Sequence, residues 1–150
     1  MMEVVNQMKL EFLSIPANVA FARVAVAAFA SQLEFTLNDL EEIKVAVSEA
    51  VANAIIHGYA DSPNGIIRIV ATLGKDSLEV RVEDDGKGIE DIKKALQPAY
   101  SSDPERTGLG FVFMQSFMER LQVDSAPGEG TRVTMIKTVN PSLSSTPLKH

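Results

Sequence analysis

Two tight hairpins constrain the architecture of this chain more than any other feature. Ile67, Ile69, Ala71 and Leu73 occupy alternate positions along one run, and Leu78, Val80 and Val82 do so along the next. Gly74-Lys75-Asp76-Ser77 lies between them as the turn. Leu121–Ser125 and Thr131–Val139 repeat the arrangement across Ala126-Pro127-Gly128-Glu129-Gly130. Strands joined over so few residues pair antiparallel. Residues 3–12 alternate in part, through Met8, Leu10 and Phe12, and predict another strand. Helix-period segments occur between these strands without building strand–helix–strand repeats. The expected class is therefore α+β, a two-layer sandwich of a mixed, mostly antiparallel sheet covered on one face by helices.

The bulk composition narrows the function. At 150 residues the chain suits one domain, expected over residues 1–139, with a frayed Ser/Pro tail at 140–150. It contains no cysteine, which excludes disulfides, thiol catalysis and thiolate metal sites. His57 and His150 are too few and too far apart to suggest zinc. No secretory signal and no uncharged apolar run of membrane-spanning length occurs, so the expected compartment is the cytoplasm, with no membrane partner. Fourteen basic and twenty acidic residues give a net charge of −6, which argues against direct nucleic-acid binding. A nucleotide held by local dipoles and a magnesium ion remains compatible with that charge.

The helices predicted from the pattern are three long ones and a short one. After Pro16, Asn18 is the expected cap of the first, with Phe21, Val24, Ala25, Ala28 and Phe29 on its inner face and an end near Leu33. Thr36 or Asn38 starts the second, with Asp39 or Glu41 completing a capping box. That helix runs through Ile43 and Val47 to a stop at Gly58. A short charged helix is expected around residues 90–96, and a mobile loop at 97–107. Gly108 and Gly110 then lead into a helix with Phe113, Met114, Phe117 and Met118 on its apolar stripe.

Chemistry enters on the second helix. Glu49, Asn53 and His57 are spaced four apart, which stacks them on one helical face. A carboxylate and an amide on an otherwise apolar helix suit a metal-bound phosphate beside a proton acceptor. Strand parity places Asp84 on the same face as Leu78, Val80 and Val82, with Asp85 pointing away. An inward carboxylate at a strand end can accept a hydrogen bond from a purine amino group, and Gly86 and Gly88 allow the backbone close to a ring. Arg106-Thr107-Gly108-Leu109-Gly110-Phe111 brings a glycine pair into a helix N-terminus, which suits phosphate. Gly128-Glu129-Gly130-Thr131 ends the series. Taken singly, each has an ordinary account: a polar pair setting helix register, an Asp-Gly turn, a loop–helix junction and a hairpin. Together, each sits on the secondary structure its chemistry requires, while Walker and dinucleotide fingerprints are both missing.

This ordered set resembles the GHKL superfamily of Bergerat-fold ATP binders. Glu49-x-x-x-Asn53-x-x-x-His57-Gly58 is similar to its N-box. Asp84-x-Gly86-x-Gly88, Gly108-x-Gly110 and Gly128-x-Gly130-Thr131 are similar to its glycine boxes. Within it, Ser48-Glu49-Ala50-Val51-x-Asn53-Ala54-Ile55-Ile56-His57-Gly58-Tyr59 resembles the bacterial anti-sigma serine kinases. Phe21-Ala22-Arg23-Val24, Ala27-Ala28-Phe29 and Pro63-Asn64-Gly65 are closer to the sporulation anti-sigma F factors than to the general-stress anti-sigma B kinases, the nearest alternative.

The resemblance implies a Bergerat ATP-binding fold and transfer of phosphate from ATP, leaving ADP, to a serine of an anti-anti-sigma protein. It also implies a homodimer that sequesters a sigma factor. By the same resemblance Glu49 is the catalytic base and Asn53 a Mg²⁺ ligand. Asp84 and Thr131 bind adenine, Gly86 and Gly88 make room for it, and Arg106, Thr107, Gly108, Leu109, Gly110 and Phe111 hold phosphates. Residues 97–107 become the ATP lid, and Arg23 contacts the partner proteins. A nucleotide-gated binding module without transfer activity is the reading from another class.

Overall fold

The computed structural model describes residues 3–96 and 109–140. Five strands form one sheet: β1 (Asn6–Leu13), β2 (Ile66–Leu73), β3 (Ser77–Asp84), β4 (Arg120–Ser125) and β5 (Thr131–Thr138). Their order is β1-β2-β3-β5-β4, and all four pairings are antiparallel. Both expected hairpins are present. The second folds back so that β5, not β4, lies beside β3, which sets Asp84 directly opposite Thr131.

Alternation decides which face of the sheet is covered. Ile67, Ile69, Ala71 and Leu73 on β2, Leu78, Val80 and Val82 on β3, and Val133 and Met135 on β5 are all buried. Helices α1 (Ala17–Ala30), α2 (Leu37–Asn53) and α4 (Leu109–Phe117) share that core, and α3 (Ile92–Ala95) is a single short turn, less than the 90–96 helix expected. On the opposite face the Glu83 carboxylate meets Arg68, Arg81 and Arg132 at 3.3, 2.9 and 3.4 Å.

Helix α2 begins as its sequence dictates. The Thr36 hydroxyl accepts from the Asp39 N–H and the Asp39 carboxylate accepts from the Thr36 N–H, each at 3.0 Å. The reciprocal pair satisfies two backbone donors that a helix start otherwise leaves open. Ile43, Ala46, Val47, Ala50 and Val51 then form the buried stripe. Two expectations for α1 need correction. Asn18 does not cap it; Pro16 holds the cap position, and the Asn18 amide donates to the Leu13 carbonyl at 2.9 Å. The buried face is Ala22, Val26, Ala27 and Ala30, while Phe21 and Val24 are 52% and 58% exposed. Small side chains let α1 approach the layer beneath closely, so the bulky ones turn outward. Phe21 still meets Phe12 edge to face, with ring centroids 6.3 Å apart.

In α4, Met114 is buried as expected, as is Met118 just past its end, whereas Phe113 lies at the surface and stacks on Phe117 at 5.9 Å. Lys137 extends the buried face of β5 under α4. Its ammonium donates to the Phe117 carbonyl at 2.6 Å and to Glu42 at 2.9 Å, tying the end of α4 to α2. Among the described residues, no helix is long and apolar enough to cross a membrane. The expected lid at 97–107 and the tail from residue 141 onward lie outside the described residues.

Candidate functional site

The end of α2 is where the structure departs most from simple helical spacing. From Ala54 to Gly58 the helix widens into a π-turn, with the Tyr59 N–H bonded to the Ala54 carbonyl at 2.9 Å. The extra residue in that turn changes the phase of everything after Asn53. Glu49 and Asn53 remain one α-turn apart and half-buried, whereas His57, inside the π-turn, is exposed. Of the three residues spaced four apart, two thus sit half-buried on the α-helix and the third lies exposed in its widened end.

What the π-turn aims is Gly58. A Cβ on Gly58 would stand 2.8 Å from Oδ1 of Asp84, so the glycine lets the helix end close onto that carboxylate. Gly86 packs in turn on Gly58, where a Cβ would fall 2.1 Å from the Gly58 carbonyl oxygen. The same carbonyl accepts the Lys87 N–H at 2.9 Å. Gly88 has a positive φ of 78° and abuts the Ala126 carbonyl, and the Gly128 N–H bonds the Lys87 carbonyl at 2.7 Å. The glycines after Asp84 therefore dock the β3 end between α2 and the β4–β5 hairpin.

Asp84 itself is buried on the helix-facing side, as parity predicts. Asp85 points away and pairs with Arg68 at 3.0 Å. The Asp84 carboxylate accepts the Gly86 N–H at 2.8 Å. Burial pushes its carboxyl above the ordinary aspartate range against the pull of the nearby Gly86 and Thr131 N–H groups, and the Asp85 charge adds to the rise. Register continues the row: Asp84 faces Thr131, and Thr131 faces Ser125. A cleft of about 510 Å³ opens at this end of the sheet, lined by Asp84, Ser125, Thr131 and Ile92 and also by Arg68, Glu83, Asp85 and Arg132 from the opposite face.

Gly110 brings the second half together. A Cβ there would lie 2.9 Å from Oε1 of Glu49 and 3.3 Å from Nδ2 of Asn53. The first described turn of α4, carrying Leu109, Gly110 and Phe111, therefore sits over the carboxylate–amide pair of α2. Burial alone raises the Glu49 carboxyl above the usual glutamate range. Arg106, Thr107 and Gly108 lie outside the described residues. Arg23 lies on α1, half-buried beside the exposed Val24, apart from both groups.

Comparison with known proteins agrees with this geometry. Residues 12–137 match the histidine kinase-like ATPase domain family. The chain is 52% identical over 134 residues to the anti-sigma F factor of Clostridium novyi (strain NT), covering 88% of this chain and 94% of that protein. It is 51% identical over 140 residues to the anti-sigma F factor of Thermoanaerobacter sp. (strain X514), covering 92% and 97%. The chain belongs to the anti-sigma F factor family of histidine kinase-like ATPase domains. In fold it is similar to a crystal structure of the RsbU and RsbW domains of a Mycobacterium tuberculosis protein. That match has a TM-score of 0.65 at 18% identity and covers 89% of this chain and 32% of the other.

As an ATPase domain of this family, the chain has ATP as its expected ligand, and two residues at the cleft were not legible beforehand. Tyr59 accepts the Asp85 N–H at 2.7 Å and donates to the Ile66 carbonyl at 2.6 Å, bridging β2 to the loop after β3. Ser125 accepts the Ile89 N–H and contacts both the Gly130 carbonyl and the Thr131 hydroxyl, each at 2.8 Å. The only sequence signal for Ser125 is its position opposite Thr131 in the hairpin register, which a turn count alone does not fix.

Proposed function

We propose that this chain is an ATP-dependent protein serine kinase that sequesters a sporulation sigma factor and phosphorylates its anti-anti-sigma antagonist, acting through a single kinase domain over residues 1–139. One observation carries the reading: α2 presents Glu49 and Asn53 to the first described turn of α4, while its π-turned end closes on Asp84. One helix thus carries the base and the phosphate-side amide toward α4 and closes its far end on the purine-reading carboxylate. The relatives' names support the sigma-factor partner.

In this reading Asp84 accepts the adenine amino N–H and Thr131 supports the same ring. Gly86 and Gly88 let the backbone close on the base. Arg106, Thr107, Gly108, Leu109, Gly110 and Phe111 surround the phosphates. The amide oxygen of Asn53 is a hard donor of the kind Mg²⁺ takes beside phosphate oxygens, and the bound ion would neutralise phosphate charge. The Glu49 carboxylate accepts the proton of the partner's serine hydroxyl. The freed oxygen bonds the terminal phosphorus, and the bond to the bridging oxygen breaks to leave ADP. Its raised pKa suits that task, because a base closer to neutrality holds the proton more readily. Exposed Phe21 and Val24 beside Arg23 support α1 as a partner surface. The protein acts as a cytoplasmic homodimer.

Labelled ATP, the protein and the candidate anti-anti-sigma protein, with its serines substituted in turn, test the reading. Label should pass to one serine and be lost with Glu49→Ala while ATP binding persists. Binding of ATP without any transfer would make the protein a nucleotide-gated module instead. Unchanged affinity of Arg23→Ala for both partners would remove that residue from the surface.

A further inference from the structure

Ser125 has one proton and three neighbours, and counting donors restricts what each can do. The Ile89 N–H donates to its Oγ at 2.8 Å. The Gly130 carbonyl, also 2.8 Å away, can only accept, so a bond there uses the serine's proton. The Thr131 hydroxyl stands 2.8 Å from the same oxygen. With the serine proton committed to Gly130, the Thr131 hydroxyl must be the donor of that third bond. Its proton then points at Ser125, and only its lone pairs remain for the cleft.

That fixes the character of the row at the end of the sheet. Asp84 offers a carboxylate and Thr131 offers lone pairs from the neighbouring strand, in directly opposed positions. Two adjacent acceptors suit an exocyclic amino group and disfavour a carbonyl oxygen. We infer that Ser125 is a positioning residue for base selection: by holding the Thr131 proton it makes the row a reader of 6-amino over 6-oxo purines. Without Ser125, the Thr131 hydroxyl can turn its proton to the cleft and donate to a 6-oxo group. The inference rests on the reading of Asp84 and Thr131 as the adenine site.

The test compares ATP with inosine triphosphate, which replaces the 6-amino group by oxygen and protonates the adjacent ring nitrogen. Dissociation constants for both are measured with the full-length wild type, Ser125→Ala and Ser125→Cys, the second keeping volume while weakening the hydrogen bonds. Wild type should prefer ATP, and both variants should narrow the ratio about three- to tenfold, on the scale of one hydrogen bond. Tighter inosine triphosphate binding should account for part of that change. A merely structural serine would weaken both nucleotides equally, and an unchanged ratio in both variants overturns the inference. Asp84→Asn separates the two levels. If it lowers ATP affinity while the Ser125 variants keep the ratio, the adenine site stands and the role of Ser125 falls. If it leaves ATP affinity unchanged, the site itself is misplaced.

Discussion

Glu49 is pushed toward its neutral form by burial alone, which makes it a better base and a burden on the fold. A carboxyl whose pKa rises on folding contributes its full stability below the ordinary glutamate value, about 4.3. That contribution is lost as pH rises through the folded value. Glu49→Gln should therefore melt higher than wild type at neutral pH. The difference should shrink toward zero below about pH 4, where both states already hold the proton. Melting curves across that range check the sign, and phosphoryl transfer by the same variant should fall about 10²–10⁴-fold. Gly110 makes a complementary case. An added methyl there would press on the Glu49 and Asn53 side-chain ends rather than on backbone, so the fold can yield. Removing a glycine from a helix favours folding by up to about 1 kcal/mol. Gly110→Ala should thus keep or raise the melting temperature while transfer drops about tenfold or more through displaced groups. Loss of activity and stability together would mean the site tolerates less than this geometry allows.

The elements differ in how far local sequence determines them. The start of α2 is local chemistry, and Thr36 and Asp39 cap it reciprocally as their spacing requires. Thr36→Ala should cost about 1 kcal/mol, lowering the melting temperature by about 2–4 °C for a domain of this size. Denaturant titration should show the loss as a shifted midpoint with an unchanged slope. The phase of α1 was not legible, because a helix apolar on nearly every side has no polar face to fix its rotation. Packing chose the face with Ala22, Val26, Ala27 and Ala30, since small residues permit close approach. The π-turn was equally hidden. Ala54-Ile55-Ile56-His57-Gly58 carries ordinary helical composition, and the wide turn follows from where Gly58 must meet Asp84 and Gly86. Hence the spacing of Glu49 and Asn53 was enough to make them neighbours, while the exposure of His57 in the widened turn was not legible. Strand parity succeeded for Asp84 because one-sided burial of β3 leaves no second register.

At the scale of the molecule, the cleft is built from segments remote in sequence that no single element holds in place. Residues 49–58, 84–88, 110 and 125–131 converge through backbone contacts at Gly58, Gly86, Gly88 and Gly130 and through the Lys137 tie between α4 and α2. A ligand spanning the cleft would bridge these segments and bind only the folded chain, so its affinity adds to folding stability by mass action. At a free concentration one hundred times its dissociation constant, that addition is about 2.7 kcal/mol. For a 150-residue domain this corresponds to a rise of about 5–11 °C in melting temperature. ATP with Mg²⁺ should produce that shift. Asp84→Asn should lose most of it at the same concentration, because the carboxylate proposed to face the base is gone. Asn53→Ala should lose the part that depends on Mg²⁺, and its residual shift should match that of wild type with ATP and a chelator. Glu49→Gln should keep nearly the whole shift, since the proposed base would act on the partner's hydroxyl and contribute little to holding the nucleotide. A shift equally reduced in all three variants would indicate that the segments fail together, with loss of the folded cleft rather than of separate contacts.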